Sequence, residues 1–523
     1  MDSATKSPLL PRSSIDSEDS SRLLSAKEAQ IHSFSNARAR RRNIIAACLF
    51  LLALSLAGMA AFVLWAPYSS RLATPPAESV SHENSTEPLQ LIDNSTQPQQ
   101  LDPWDPRLSL NGAPTAQFRE NLKPGVKYIT SWPAAGWTND VMTYANLIYL
   151  GFITDRVPVI PMFTPSHINM GATSPVPSIA FGDVFDVPRM RNLTGKSILE
   201  WRDLKDIHSQ SVDEIGCWNV WESVQYHEHH PRGSSVPDHL KLDISYTKSP
   251  HWVKLYPDFE HDAHATFWSL ARLAFPETLR DQNLLVTPLP SPLNGVSLPP
   301  DEDMVCFDYL YYVCAQQPYE YDKDYSPAWR YVAQYMHWTP WIEKLAQSYV
   351  NLALGLPKDE PTPPVSITAD ILKGLIPNSV LAQYIAIHVR HYDFAGWCGD
   401  VPLNECFASI PVIARRVKEV QDQIQEQMGV TVNHIVMTSD ERDEAWWKEV
   451  EEQGWKFPDH SRTKEIFGDW YPVLIDAAIQ SGGVGFVGTD RSTMSIMAMR
   501  RVQSWQGGVA RLVKWGHAGA DDH

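Results

Sequence analysis

The run from Ile44 to Ala66, IIAACLFLLALSLAGMAAFVLWA, carries no charge and is long enough to cross a bilayer as one helix. A secretory signal peptide has a shorter apolar core and a small-residue cleavage site, whereas here the polar residues 1–43 come first. Arg38, Arg40, Arg41 and Arg42 stand just before the run and only Arg71 lies close after it. The positive-inside rule therefore places the N-terminus in the cytosol and everything after the span in the secretory lumen. The expected order is a disordered cytosolic tail over 1–43, a transmembrane helix over 44–66 and a luminal stem over 67–120, rich in Pro, Ser, Thr and Gln. Leu9-Leu10 and Leu23-Leu24 are candidate sorting signals in the tail. Asn84, Asn94 and Asn192 open three glycosylation triplets on the luminal side.

Composition bears on what the luminal part does. A formal net charge of -17 argues against nucleic acid as a partner, because phosphate binding needs clustered Lys and Arg. Of the six cysteines, Cys48 lies in the apolar run and the other five show no zinc-ligand spacing. In an oxidising lumen, Cys306 with Cys314 and Cys398 with Cys406 suit local disulfides. Cys217 is then left over, either free and buried or a sign of a different pairing.

Hydrophobic periods give the fold class. Val126 to Thr130 reads as a strand, and Trp132 to Trp137 as a Pro/Gly loop. Thr138, Asn139 and Asp140 then open a helix through Phe152, and Val157 to Pro161 is the next strand. Residues 163–356 have few clean periods, and 357–364 (PKDEPTPP) reads as a linker. Beyond it, strands at Tyr384–Arg390, His434–Ser439 and Gly485–Gly488 alternate with helices at Ala408–Met428, Glu441–Gln453, Phe467–Gln480 and Ser492–Val502. This alternation predicts parallel α/β sheets in two halves facing a cleft, over about 121–360 and 361–515.

Three places carry candidate chemistry. His388 and Arg390 share one face of a strand at its carboxyl end, where open α/β sheets bind ligands. Two basic side chains there call for an anion: a structural partner such as Asp393 or Asp400, or a bound diphosphate. The second is the segment from Ser481 to Ser495, with Gly483, Gly485 and Gly488 in a literal GxGxxG. These glycines fall before and within the strand, so the dinucleotide reading fails. Ser492-Thr493 at the following helix start suits a phosphate or serves as a plain N-cap. The third, His227-Glu228-His229-His230 with His261 and His264, lacks a settled metal spacing and reads as a surface loop.

Residues 387–394 (IHVRHYDF), followed by Trp397-Cys398, resemble the HxR motif of the GDP-fucose protein O-fucosyltransferase superfamily, particularly divergent fungal members. Gly485 to Ser495 resembles that superfamily's C-terminal segment, and Tyr128 to Pro161, with Gly136 and Asn139, its N-terminal motif. The resemblance implies a GT-B-like fold of two Rossmann-like domains, the first (121–360) on the acceptor side and the second (361–515) binding the nucleotide sugar, here preceded by one transmembrane helix. It also implies GDP-fucose as donor, a protein or glycan hydroxyl as acceptor, and inverting transfer without an obligatory metal or other cofactor. On that reading Arg390 holds the β-phosphate and stabilises charge on the departing GDP, His388 shapes the same pocket and Gly136 helps bind the nucleotide sugar. Asn139 faces the reacting centre, Asp476 contacts guanine, and Ser492 with Thr493 binds phosphate. Two departures stand out: Met494 replaces a usual Phe, and Ala135 stands where one branch has an acidic base, so the general base stays open. The alternatives are a transferase using another nucleotide sugar and a non-catalytic luminal nucleotide-sugar or glycan-binding protein. The C-terminus is not an ER retrieval signal, which tilts the expected location towards the Golgi membrane.

Overall fold

Short apolar runs spaced by helices have one stable solution, a parallel sheet buried on both faces. The computed structural model describes residues 101–168, 175–275, 277, 286–356 and 383–522. Its strands are β1 (Tyr128–Ser131), β2 (Val157–Ile160), β3 (Leu199–Glu200), β4 (Asp213–Asn219), β5 (Leu242–Lys248), β6 (Ala265–Thr266), β7 (Met304–Phe307), β8 (Val313–Cys314), β9 (Tyr384–Val389), β10 (His434–Ser439), β11 (Gly485–Thr489) and β12 (Val509–Val513). Among the described residues the helices of eight or more residues are α1 (Trp137–Ile153), α2 (Val187–Thr194), α3 (Pro340–Ala353), α4 (Ile410–Met428), α5 (Glu444–Glu452), α6 (Tyr471–Gly482) and α7 (Thr493–Trp505).

The first sheet has the order β3-β2-β1-β7-β4-β5, the second β10-β9-β11-β12, and β6 with β8 forms a small third. Every pairing between these strands is parallel. In the second sheet, β9 and β11 are buried along their whole length. Alternation then sorts β9: Ile385, Ile387 and Val389 pack with α4, while Tyr384 and Ala386 join the core shared with the first half. That shared core runs from Ile129 and α1 through α3 to α6, Phe486 and α7, so residues 100–523 form one compact unit.

The expected strands and helices are present, with edges shifted by a few residues. Glu441–Gln453 shortens to α5, and Phe467–Gln480 divides into a short helix at Thr463–Phe467 and α6, with Gly468 at φ 105° between them. Part of the segment expected as stem is folded. Phe118 is fully buried edge-on against Trp201 (5.3 Å between centroids), and Tyr128 donates to the Ser109 carbonyl at 2.6 Å. Among the described residues no helix is long and apolar enough to cross a membrane. The expected tail, the span at 44–66, Asn84, Asn94 and the 357–364 linker lie outside the described residues. Asn192 is described: its side-chain oxygen accepts from the Trp104 indole at 2.7 Å.

The disulfides correct one expectation. Cys398 pairs with Cys406 as spacing suggested, but Cys306 pairs with Cys217, and Cys314 is the buried free thiol. Cys217 and Cys306 lie on the adjacent strands β4 and β7, one residue before the register pair Trp218↔Phe307, with Cα atoms 4.8 Å apart. Cys314 is close in sequence but sits on β8, in the small third sheet.

Candidate functional site

All strands of a parallel sheet end on one edge, and here the two edges meet. Thr138, just past the β1 loop, and Thr493, just past β11, stand in the first turns of α1 and α7. Their hydroxyls are 2.8 Å apart. Two helix N-termini, each with unsatisfied N–H groups and a positive dipole end, therefore converge at the carboxyl ends of both sheets.

Arg390 follows β9 on the second sheet's side of this junction. Its backbone N–H donates to Thr489 Oγ1 at 3.0 Å, and that hydroxyl donates to the His388 carbonyl at 3.2 Å. The guanidinium is about one-third exposed, with Nε 2.8 Å from Asp393 and Nη1 3.0 Å from Asp440. Of the two acids the sequence offered, Asp393 is a partner and Asp400 is not; the second carboxylate comes from the end of β10. Asp440 also accepts from the His391 N–H at 2.8 Å, which ties the ends of β9 and β10 together.

His388 does not need the anion that its sequence position suggested. It is buried, its Nδ1 is 2.8 Å from Ser495 Oγ, and burial followed by the nearby Arg390 charge pushes its pKa down to about 3. It is a neutral imidazole hydrogen-bonded to α7. Ser495 comes this close because Gly488 has no side chain: a Cβ there would lie 2.7 Å from Ser495 Cβ and 2.5 Å from the Phe486 ring. Ser495 Oγ also accepts from the Thr489 N–H at 3.0 Å. Ser492 is the N-cap of α7, accepting from the Ser495 N–H. Ser492→Ala is expected to destabilise the fold by about 1 kcal/mol, measurable by chemical denaturation, whether or not phosphate is bound.

The first sheet supplies the facing loop. Gly136 is the N-cap of α1 with ordinary extended backbone, and a Cβ there would approach only His167, at 4.0 Å. Asn139 is half-buried in the first turn of α1. Asp140, the nearest acid, accepts from the N–H groups of Ala134 and Ala135 at 3.1 and 3.0 Å, so it shapes the loop. Arg232 donates to the Ala134 carbonyl, and its own N–H donates to Asp308.

Burial outweighs these hydrogen bonds and pushes the carboxyls of Asp140 and Asp308 up to about 8 and 7. Both groups hold a proton in the folded chain where the unfolded chain has lost it. Their contribution is therefore fullest below about pH 4, the unfolded pKa, and is lost as pH rises towards 8. Unfolding free energy should fall between pH 5 and pH 8, at no more than about 1.4 kcal/mol per pH unit for each group. Asp140→Asn keeps the acceptor and removes the charge, so its denaturation series should be flatter. An unchanged slope would count against this account.

Asp476 lies on α6 and bonds back to the segment that precedes it. It accepts from His460 Nε2 at 2.8 Å, while His460 Nδ1 is 3.0 Å from Thr463, which meets the Tyr349 hydroxyl of α3 at 2.6 Å. Burial opposes charge on His460, but Asp476 and then Asp459 outweigh it and raise the pKa. His227 to His230 are exposed, and among the described residues no group of three or more His, Cys, Asp or Glu could hold a metal ion.

Sequence reasoning missed Thr138, Thr489, Ser495 and Asp440. The last was findable by the same rule that pointed to Arg390, since it directly follows the carboxyl end of a predicted strand.

No family model and no curated protein matches the chain. Among solved structures it is similar to POFUT1 in complex with GDP-fucose, at 13% identity, covering 76% of this chain and 99% of that one with a TM-score of 0.42. It is also similar to the fucosyltransferase NodZ from Bradyrhizobium, at 12% identity, covering 72% and 92% with a TM-score of 0.34. A mutant of FUT1 from Arabidopsis thaliana in complex with GDP matches at 12% identity over 75% and 70%, with a TM-score of 0.30.

Proposed function

We propose that this chain is a glycosyltransferase that moves fucose from GDP-fucose, with inversion, to a hydroxyl of a protein or glycan acceptor. It acts as a single-pass type II protein of the Golgi or ER membrane with its two sheets in the lumen. The observation that carries the reading is the Thr138–Thr493 junction, where two helix N-termini meet beside Arg390 at the carboxyl ends of two parallel sheets. Such a place suits a diphosphate, because helix N-terminal N–H groups and a cation lie at the same sheet edge.

In the reaction, the acceptor oxygen attacks the anomeric carbon as the bond from that carbon to the β-phosphate oxygen breaks. GDP leaves with the electron pair, and the acceptor proton passes to a base. Charge grows on the departing diphosphate, so donors already in place lower the barrier most. Arg390 meets the β-phosphate, the N–H groups and hydroxyls at Ser492-Thr493 meet the remaining charge, and Asn139 faces the sugar from the other side. No metal is required in this scheme.

The first test is GDP binding and GDP-fucose turnover by the full-length protein in detergent, with and without EDTA. Binding and turnover that survive EDTA support the reading. A protein that binds neither GDP nor GDP-fucose removes the donor assignment. One observation favours a second reading, a non-catalytic binding protein: Arg390 is already paired with two carboxylates, so a diphosphate must compete for it. Binding without turnover in the presence of acceptor glycoproteins would select that reading.

A further inference from the structure

The segment after Arg390 carries a feature that the donor site does not use. Residues 392–397 form a single 3-10 helix, and at its end Trp397 is 63% exposed. Isolated exposed apolar side chains are ordinary, but this one belongs to a built surface. Its ring lies 4.9 Å from Phe394 at 15° and 6.3 Å from Trp515 at 17°. Phe394 and Trp515 are buried and themselves stacked at 5.0 Å, and the Arg491 guanidinium sits 4.2 Å over Trp515. The Cys398–Cys406 disulfide begins at the next residue and closes the loop behind the stack. The indole is held as a flat face towards solvent, so little conformational entropy remains to be lost when something packs on it.

The surface continues from the candidate site. Asp393, in the same 3-10 helix, holds Arg390 Nε at 2.8 Å. Its charge narrows the choice of occupant. Between Tyr392 and Ala408 the chain carries Asp393, Asp400 and Glu405, all exposed, and neither Lys nor Arg. These three carboxylates are the only charges the segment itself carries, and the cations near it, Arg390, Arg442 and Arg491, are already held against Asp393 and Asp440, Tyr392 and Trp515. A neutral sugar fits on both counts: the C–H face of a pyranose packs flat on an indole, and its hydroxyls donate to carboxylates.

We infer that Trp397 is the acceptor platform, binding a sugar ring of a neutral glycan next to the Arg390 site, so that the acceptor is a carbohydrate and not a bare polypeptide. The inference rests on the transferase reading for its meaning, but binding can be measured without turnover. The full-length protein in detergent is applied to an array of neutral oligosaccharides, beside Trp397→Ala and Trp397→Phe. GDP binding and thermal melting of each variant report that the donor site and fold are intact. The expected result is glycan binding by the wild type, at least tenfold weaker in Trp397→Ala and largely retained in Trp397→Phe, which keeps an aromatic face. A wild type that binds GDP but no glycan, or a Trp397→Ala variant that binds glycans as well as the wild type, overturns the inference and leaves the donor reading standing. A protein that binds glycans through Trp397 but not GDP removes the donor reading and leaves the platform.

Discussion

Replacing Arg390 with alanine is expected to lower GDP-fucose turnover by roughly 10²–10³-fold, the usual loss when one charge-stabilising donor is removed from a transition state. Two effects act together here. The variant loses the cation that meets the leaving diphosphate, and it leaves Asp393 and Asp440 facing that diphosphate without their partner. Arg390→Lys restores the charge but not the fork of donors, so it should recover only part of the rate. Stability should change little, about 1 kcal/mol or less, because the pairs are partly exposed. Single-turnover kinetics with calorimetric GDP binding would separate the contributions. Unchanged turnover in Arg390→Ala, with wild-type activity established, would take Arg390 out of the mechanism.

Breaking the Cys217–Cys306 bond is expected to have the largest effect on stability. It closes a loop of 89 residues, for which chain entropy gives about 4–5 kcal/mol, against about 2.5 kcal/mol for the eight-residue Cys398–Cys406 loop. The bond also ties neighbouring strands in the middle of the first sheet, so its loss should be felt across the whole first half. Cys217→Ser should therefore lower the denaturation midpoint more than Cys398→Ser, and Cys314→Ser should leave both cross-links in place. Non-reducing peptide mapping checks the connectivity directly. A Cys306–Cys314 peptide would contradict the arrangement described here.

How far the sequence could be read varied with the range of the interactions involved. The strands from Tyr384 to Ser439, and the helices after them, were legible because apolar spacing is a local signal and both faces of each strand are covered. The region 163–356 was not. Its strands β3, β6 and β8 have two residues each, β4 and β5 bury polar side chains such as Asn219 and Asp243 that break the apolar pattern, and β7 is covered by partners far along the chain, between β1 and β4. The same distinction explains the cysteines: Cys398–Cys406 is a local closure, whereas Cys217–Cys306 depends on which strands are neighbours.

At the candidate site, sequence alone located His388, Arg390 and Ser492-Thr493, because strand alternation and helix-start chemistry depend only on nearby residues. What these groups touch was decided by the tertiary structure. A buried histidine turns neutral when its surroundings supply a serine hydroxyl and no solvent, and an arginine finds Asp440 because β10 lies beside β9. The Thr138–Thr493 contact joins residues 355 positions apart and needs both sheets to present their carboxyl edges to one another. Short-range spacing determines which residues end a strand or open a helix; only packing brings two such ends within hydrogen-bonding distance.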